Sequence, residues 1–242
     1  MRVKIYQIDS DRDKNRVKFL GYEHLQSIQG STDIDASLYK NVFYGDVEAN
    51  DLEDVYVIFN TERIPTHQGH SLSVSDIIQV VESEDERLGG KCFFCDTIGF
   101  KTVDFDTSKC QAMDGLKCVY ITPNHTPVEL NLKINEYEVL KDAVGGLIEI
   151  THPFDDDVCI VGNDEAKLIG MQGNRHVGNS IYAGPILIVG DNGGEDFVGL
   201  TDEQAQKYIE TFAQPEDISR EEVQSDMGFS FIGFNYQNNR RI

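Results

Sequence analysis

The stretch from residue 71 to residue 105 constrains the chain most. Residues 77–81 (IIQVV) and 93–100 (FFCDTIGF) are runs of β-branched and aromatic side chains, and residues 84–90 (EDERLGG) between them are turn chemistry. The pattern predicts a β-hairpin with a polar loop. If the lead-in, residues 71–76 (SLSVSD), is extended, then Ser71, Ser73 and Ser75 share one face while Leu72 and Val74 point to the other. Together with Asp76 these serines form a candidate strip for hydrogen-bonding a partner. No residue is spaced to act as their general base, and there is no nucleophile elbow, so no catalytic role is assigned to them. The alternative is structural: serines ahead of a strand satisfy backbone groups at a turn.

Around this hairpin the periodicity predicts further elements. A strand at 3–8 precedes a short helix at 21–29, which is stopped by Gly30. Residues 50–53 (NDLE) have the form of a capping box, with Asn50 as N-cap. Leu52, Val55, Tyr56 and Phe59 then make one apolar stripe. Residues 107–116 have no clear period and read as a linker. Beyond it, strands are expected at 117–122, 127–132, 147–151, 158–161, 167–170 and 186–189, with a helix at 135–144. Residues 162–165 read as a turn and 172–180 as a Gly-rich loop. Residues 201–204 (TDEQ) form a second capping box, opening a helix that buries Ala205, Tyr208, Ile209 and Phe212. The end of the chain is expected to hold a helical turn from Ser219 and a strand at 229–234. The pattern is α+β: two small mixed α/β domains with mainly antiparallel sheets at 1–108 and 115–218. A linker at 109–114 joins them, and a C-terminal extension covers 219–242.

Charge limits the partners. The chain has 42 acidic and 21 basic side chains, a net charge of −21. Acid is in excess in both halves, with 12 basic and 20 acidic residues before residue 113 and 9 and 22 after it. Such a field repels nucleic acid and anionic membrane, so neither is expected as a direct partner, while a protein with a basic surface is favoured. A duplex as long as a 242-residue globule is wide, about 45 Å, carries about 26 phosphates, the same order of charge. A DNA mimic is therefore an alternative, although mimicry requires the acids in one stripe and here basic residues are interleaved. No export signal and no long apolar run occurs, and five cysteines without such a signal point to reduced thiols in the cytoplasm.

Other motifs carry less. Cys92 and Cys95 fall in a predicted strand, where residues three apart face opposite ways, so they cannot ligate one metal together. His67 and His70 lack the helix and acidic neighbour of a zinc-enzyme motif. Asp9, Asp11 and Asp13 mimic a calcium loop, but Lys14 stands where the Gly belongs and Leu20 where the bidentate Glu belongs. Asp155, Asp156 and Asp157 read as an acidic turn. Asn174 and Arg175, flanked by Gly173 and Gly178, are a candidate site for a carboxylate or phosphate, with pairing to a nearby acid as the structural alternative. No cofactor, resident metal or catalytic residue is expected, and the oligomeric state is open.

Residues 71–76, residues 93–101 (FFCDTIGFK), the 52–60 helix and the opening 5–8 (IYQI) together resemble the YodL-like domain family over roughly residues 1–107. Residues 143–149, 152–154, 174–175, 183–184, 188–191 and 200–204 resemble an uncharacterised domain common in phage and conjugative-element proteins. At 172–175 (QGNR) this chain departs from the apolar-Pro-x-Asn-Arg pattern of that domain. The resemblance implies a protein carried by phages or mobile elements of Gram-positive bacteria, and it brings no catalytic residue. With the acidic charge, it leads to the expectation of a non-enzymatic cytoplasmic accessory protein. Such a protein would bind a host protein, for instance to blunt a defence; a small-ligand protein built around Arg175 is a further alternative.

Overall fold

A computed structural model describes residues 1–31 and 33–227. The first half begins with β1 (Arg2–Ile8), α1 (Tyr22–Gln29), β2 (Tyr39–Asp46) and α2 (Leu52–Thr61), and continues with β3 (Ile77–Glu82), β4 (Cys92–Cys95) and β5 (Phe100–Val103). The strands form one antiparallel sheet in the order β2-β1-β3-β4-β5. The predicted hairpin is present as β3 and β4, with Ile77 opposite Phe94 and Ile78 opposite Phe93.

Both faces of this sheet are buried. Val3, Ile5, Phe43, Ile78, Val80, Phe93 and Cys95 pack with Leu52, Val55 and Phe59 of α2. Tyr6, Ile8, Tyr39, Ile77, Cys92 and Phe94 pack with Leu25 of α1 on the other side. Cys92 and Cys95 thus lie in different cores, as their spacing on a strand requires.

Three local features differ from the sequence reading. Residues 71–76 are not extended; they form a turn ahead of β3. The N-cap of α2 is Asp51, which accepts from the Asp54 backbone N–H at 2.8 Å, while Asn50 N–H donates to Asp54 Oδ2 at 2.9 Å. The N-cap is therefore one residue further on than predicted. The reciprocal bond of a capping box is not formed, because Asp54 accepts from Asn50 and not from Asp51; Tyr56 is 39% exposed. β2 has no counterpart in the sequence reading. A bulge opposite Ile5 and Tyr6 puts the consecutive Val42 and Phe43 into the same core, which breaks the alternation that marks a strand.

The second half comprises β6 (Leu116–Ile121), β7 (Val128–Leu132), α3 (Tyr137–Val144), β8 (Ile148–Thr151), β9 (Val158–Asn163), β10 (Gly173–Val177), β11 (Ser180–Ala183), β12 (Ile186–Gly190), α4 (Asp202–Thr211) and α5 (Arg220–Asp226). Five strands form an antiparallel sheet in the order β7-β6-β12-β9-β8. α3 covers one face through Leu140, Ala143 and Val144, and α4 covers the other through Ala205, Tyr208 and Phe212. The capping box at Thr201 and Gln204 is present on α4. The chain is thus α+β with antiparallel sheets.

The Gly-rich segment 172–180 is not a loop; it supplies β10, paired with β11. Residues 167–170, expected as a strand, are turns, and the turn expected at 162–165 begins at residue 164, because β9 runs on to Asn163. The helical turn expected from Ser219 is α5; the strand expected at 229–234 lies outside the described residues.

Segment 109–114 is held against both halves. Gln111 exchanges backbone hydrogen bonds with Tyr39 and Asn41 at 2.9 Å, and Met113 is buried in the second core. No helix among the described residues is long and apolar enough to cross a membrane.

Candidate functional site

The serine stretch is built inward. Asp76 N–H donates to the Ser73 carbonyl at 3.1 Å, closing a turn whose third residue, Ser75, has φ 79°. That is a left-handed position where Gly is usual. Ser75 is held there at three points: Phe19 N–H donates to its Oγ at 2.9 Å, Tyr39 OH to its carbonyl at 2.9 Å, and its own N–H to the Cys95 carbonyl at 2.9 Å.

The Asp76 side chain is fully buried. Its Oδ2 accepts from Ser73 N–H at 2.8 Å and Gln7 Nε2 at 2.9 Å, and its Oδ1 has no partner among the described residues. Burial pushes this carboxyl up to about 8, against the Ser73 and Gln7 hydrogen bonds that favour its charge. Gln7 also grips the backbone of His70 in both directions. His67 packs edge-on against Phe59, and burial lowers its pKa to about 4. Only Ser71 is exposed and Ser73 half-buried, so there is no shared serine face. The arrangement clamps β1 to the start of β3.

Asn174 and Arg175 are also fully buried. Asn174 Nδ2 donates to the carbonyls of Ile121 and Gly184 at 2.9 and 2.7 Å. Arg175 donates to the carbonyls of Asn174 (2.8 Å), His125 (2.7 Å) and Phe212 (3.2 Å from Nη2). Burial lowers its pKa, and Glu216 partly offsets this. Every nitrogen of the guanidinium is engaged by the protein, which leaves it no free edge for an external anion. Arg175 ties β10, the end of α4 and the β6–β7 turn together.

That turn continues into the junction between the halves. Arg2 donates to the Thr126 carbonyl at 2.8 Å, and His125 Nδ1 lies 3.5 Å from Asp46 Oδ2. Gln68 Nε2 donates to the carbonyls of Asp114 and Asn131, and Arg63 pairs with Asp142.

The first half carries a groove of about 410 Å³ between α2 and the β4–β5 turn. It is more apolar than a second open cavity of this half, of about 510 Å³, which is polar and lined by Met1 and residues 48–50 and 83–85. Tyr56, Val57, Val74 and Phe100 give it apolar walls, with Glu53 and Asp96 at its rim. Val57 is 55% exposed, and Ile98, at the tip of the adjoining turn, is 94% exposed. Asp96 is oriented by Tyr22 and Thr97, whose backbone N–H groups donate to its Oδ1, and its pKa is lowered by these bonds against burial, which raises it.

The YodL-like domain family model matches residues 2–105, and the model for the domain of unknown function DUF3846 matches residues 116–213. The chain pairs a YodL-like domain with a DUF3846 domain. No curated protein and no solved structure matches it.

In the YodL-like domain, the motif residues Ser75 and Asp76 build the core while the groove opens beside them at Val74. Sequence reasoning missed the groove because its walls come from three separate parts of the chain, 53–57, Val74 and 95–100. The exposed Ile98, an apolar residue in a polar turn, was the available signal. In the DUF3846 domain the Asn174–Arg175 pair is placed inside, as its flanking glycines did not reveal.

Proposed function

We propose that this chain is a non-enzymatic accessory protein of a phage or other mobile genetic element, acting in the cytoplasm by binding a host protein. The bound surface is basic with an apolar anchor, and occupying it antagonises a host defence system or redirects a host machine. The observation that carries this reading is the groove of the YodL-like domain: apolar walls at Tyr56, Val57 and Phe100, an acidic rim at Glu53 and Asp96, and the protruding Ile98. Exposed apolar side chains gathered beside an apolar groove with a polar rim are the mark of an interaction surface. A net charge of −21 steers basic partners toward it and repels acidic ones. The inward use of Ser75, Asp76, Asn174 and Arg175 supports the non-enzymatic part.

The test is affinity capture from a Gram-positive host lysate by the wild-type chain and by Val57→Asp/Ile98→Asp, with the partner reconstituted from purified components. Direct binding that is lost in the variant supports the reading. A turnover activity with no protein partner overturns it.

The acidic total also motivates a second reading, a DNA mimic occupying a nucleic-acid-binding protein. It calls for salt-sensitive competition with duplex DNA, and binding insensitive to the Val57 and Ile98 changes.

A further inference from the structure

The register of the second sheet brings three separated residues together at one end. Thr151, the last residue of β8, pairs with Ile160 of β9, so His152 stands beside Cys159. Cys159 pairs with Val189 of β12 and Val158 with Gly190, and Asp191 N–H then donates to the Asp157 carbonyl at 2.9 Å. Asp191 therefore lies opposite residue 157, on the same side of the pleat as residue 159. Pro153 keeps His152 extended, in line with β8. As a result, one ligand atom each from His152, Cys159 and Asp191 lies within 4.8 Å of the other two.

We propose that His152 Nε2, Cys159 Sγ and Asp191 Oδ2 form a binding site for a borderline divalent cation, zinc(II), leaving one coordination position open.

The donor set selects the ion. Calcium and magnesium favour all-oxygen shells, whereas thiolate with imidazole and one carboxylate suits zinc. Zinc bonds of about 2.0–2.3 Å put the edges of a tetrahedron at roughly 3.2–3.8 Å. From at most 4.8 Å the longer separations have to close by about an ångström, and the 2.8 Å His152–Asp191 pair has to open by about half an ångström. The His152 ring, 58% exposed, is free to adjust. Asp191 is already oriented: Gly193 N–H donates to its Oδ1 at 2.9 Å, leaving Oδ2 toward His152 at 2.8 Å. Such a supporting bond is what holds a ligating carboxylate in place. Hydrogen bonding from His152 lowers the Asp191 pKa, so its carboxylate is charged.

Cys159 is buried and its thiol is pushed up to about 12 by burial and, secondarily, by Asp191. Ion binding displaces that proton: the S–H bond breaks, the sulfur–metal bond forms, and one proton leaves to solvent. The His152 Nε2 proton that faces Asp191 moves to Nδ1 and frees the Nε2 lone pair for the ion. The exposed side, where His152 sits, is the entry path.

The experiment titrates the full, chelator-treated chain with cobalt(II) as a spectroscopic probe and then displaces it with zinc(II). The expected result is one equivalent bound, with a thiolate-to-cobalt charge-transfer band that zinc removes. Cys159→Ala abolishes the band, and His152→Ala and Asp191→Asn each weaken binding at least about tenfold. His152 is exposed, so His152→Ala keeps the test decisive if Cys159→Ala fails to fold. Binding without the band, a band that survives Cys159→Ala, unchanged affinity in His152→Ala, or no binding at micromolar cobalt would each overturn the proposal.

Discussion

Arg2 and Asp46 meet in a two-point contact across β1 and β2, Nε to Oδ1 at 3.1 Å and Nη2 to Oδ2 at 2.8 Å, and the same guanidinium reaches the Thr126 carbonyl of the other domain. Both side chains are largely buried, at 7% and 15% exposure. His125, whose carbonyl is held by Arg175, completes the contact from the far side. The junction therefore connects the first strand of the YodL-like domain to the buried arginine of the DUF3846 domain.

Arg2→Met is expected to leave Asp46 poorly compensated, costing about 1–3 kcal/mol. It is also expected to separate the unfolding of the two halves. Fluorescence and calorimetric transitions that coincide in the wild type should part in the variant, and a double-mutant cycle with Asp46→Asn should show a coupling energy of about 1–3 kcal/mol.

Asp76 gives a pH-dependent prediction. Its folded pKa, about 8, lies above its ordinary value, so the folded state binds more protons and stability falls as pH rises toward 8. His67 acts oppositely. Its folded pKa of about 4 makes stability rise between 4 and its ordinary 6.5. Between about pH 6.5 and 8 only Asp76 of this pair still titrates. There, denaturant melts should show Asp76→Asn losing less stability per pH unit than wild type, by up to about 1.4 kcal/mol. The amide oxygen still accepts from Ser73 and Gln7. An equal slope in both proteins would contradict the buried-acid account.

Arg175→Lys keeps the charge but cannot satisfy the carbonyls of Asn174, His125 and Phe212 together. A loss of about 3 kcal/mol is expected in denaturant unfolding, with no change in the affinity of small anions for the chain.

Much of the fold was legible because strong local rules applied. Gly30 and Gly145 end their helices in the left-handed conformation, and Thr201 with Gln204 opens α4 as a capping box. What escaped has local causes. Asn50 and Asp51 are both favoured N-cap residues one position apart, so local chemistry does not choose between them. β2 hides behind a bulge. β10 buries Asn174 and Arg175 by hydrogen bonding instead of hydrophobicity, so no alternation announces it. The candidate site was the least legible, since Tyr56 and Phe100 meet only after the sheet forms.

Association with the host partner should weaken with salt. Raising ionic strength from about 50 to about 300 mM shortens the screening length from roughly 14 to about 6 Å. The on-rate should fall severalfold while the off-rate changes little, as read by surface-based kinetics.

The most direct test compares purified host partner binding to the wild-type chain and to Val57→Asp/Ile98→Asp. Both positions are exposed, so each change should alter stability by no more than about 0.5 kcal/mol and adds negative charge. The account predicts that binding drops by at least tenfold although the variant is more acidic. Unchanged or tighter binding would contradict it, placing the interaction in the charge alone and away from the groove.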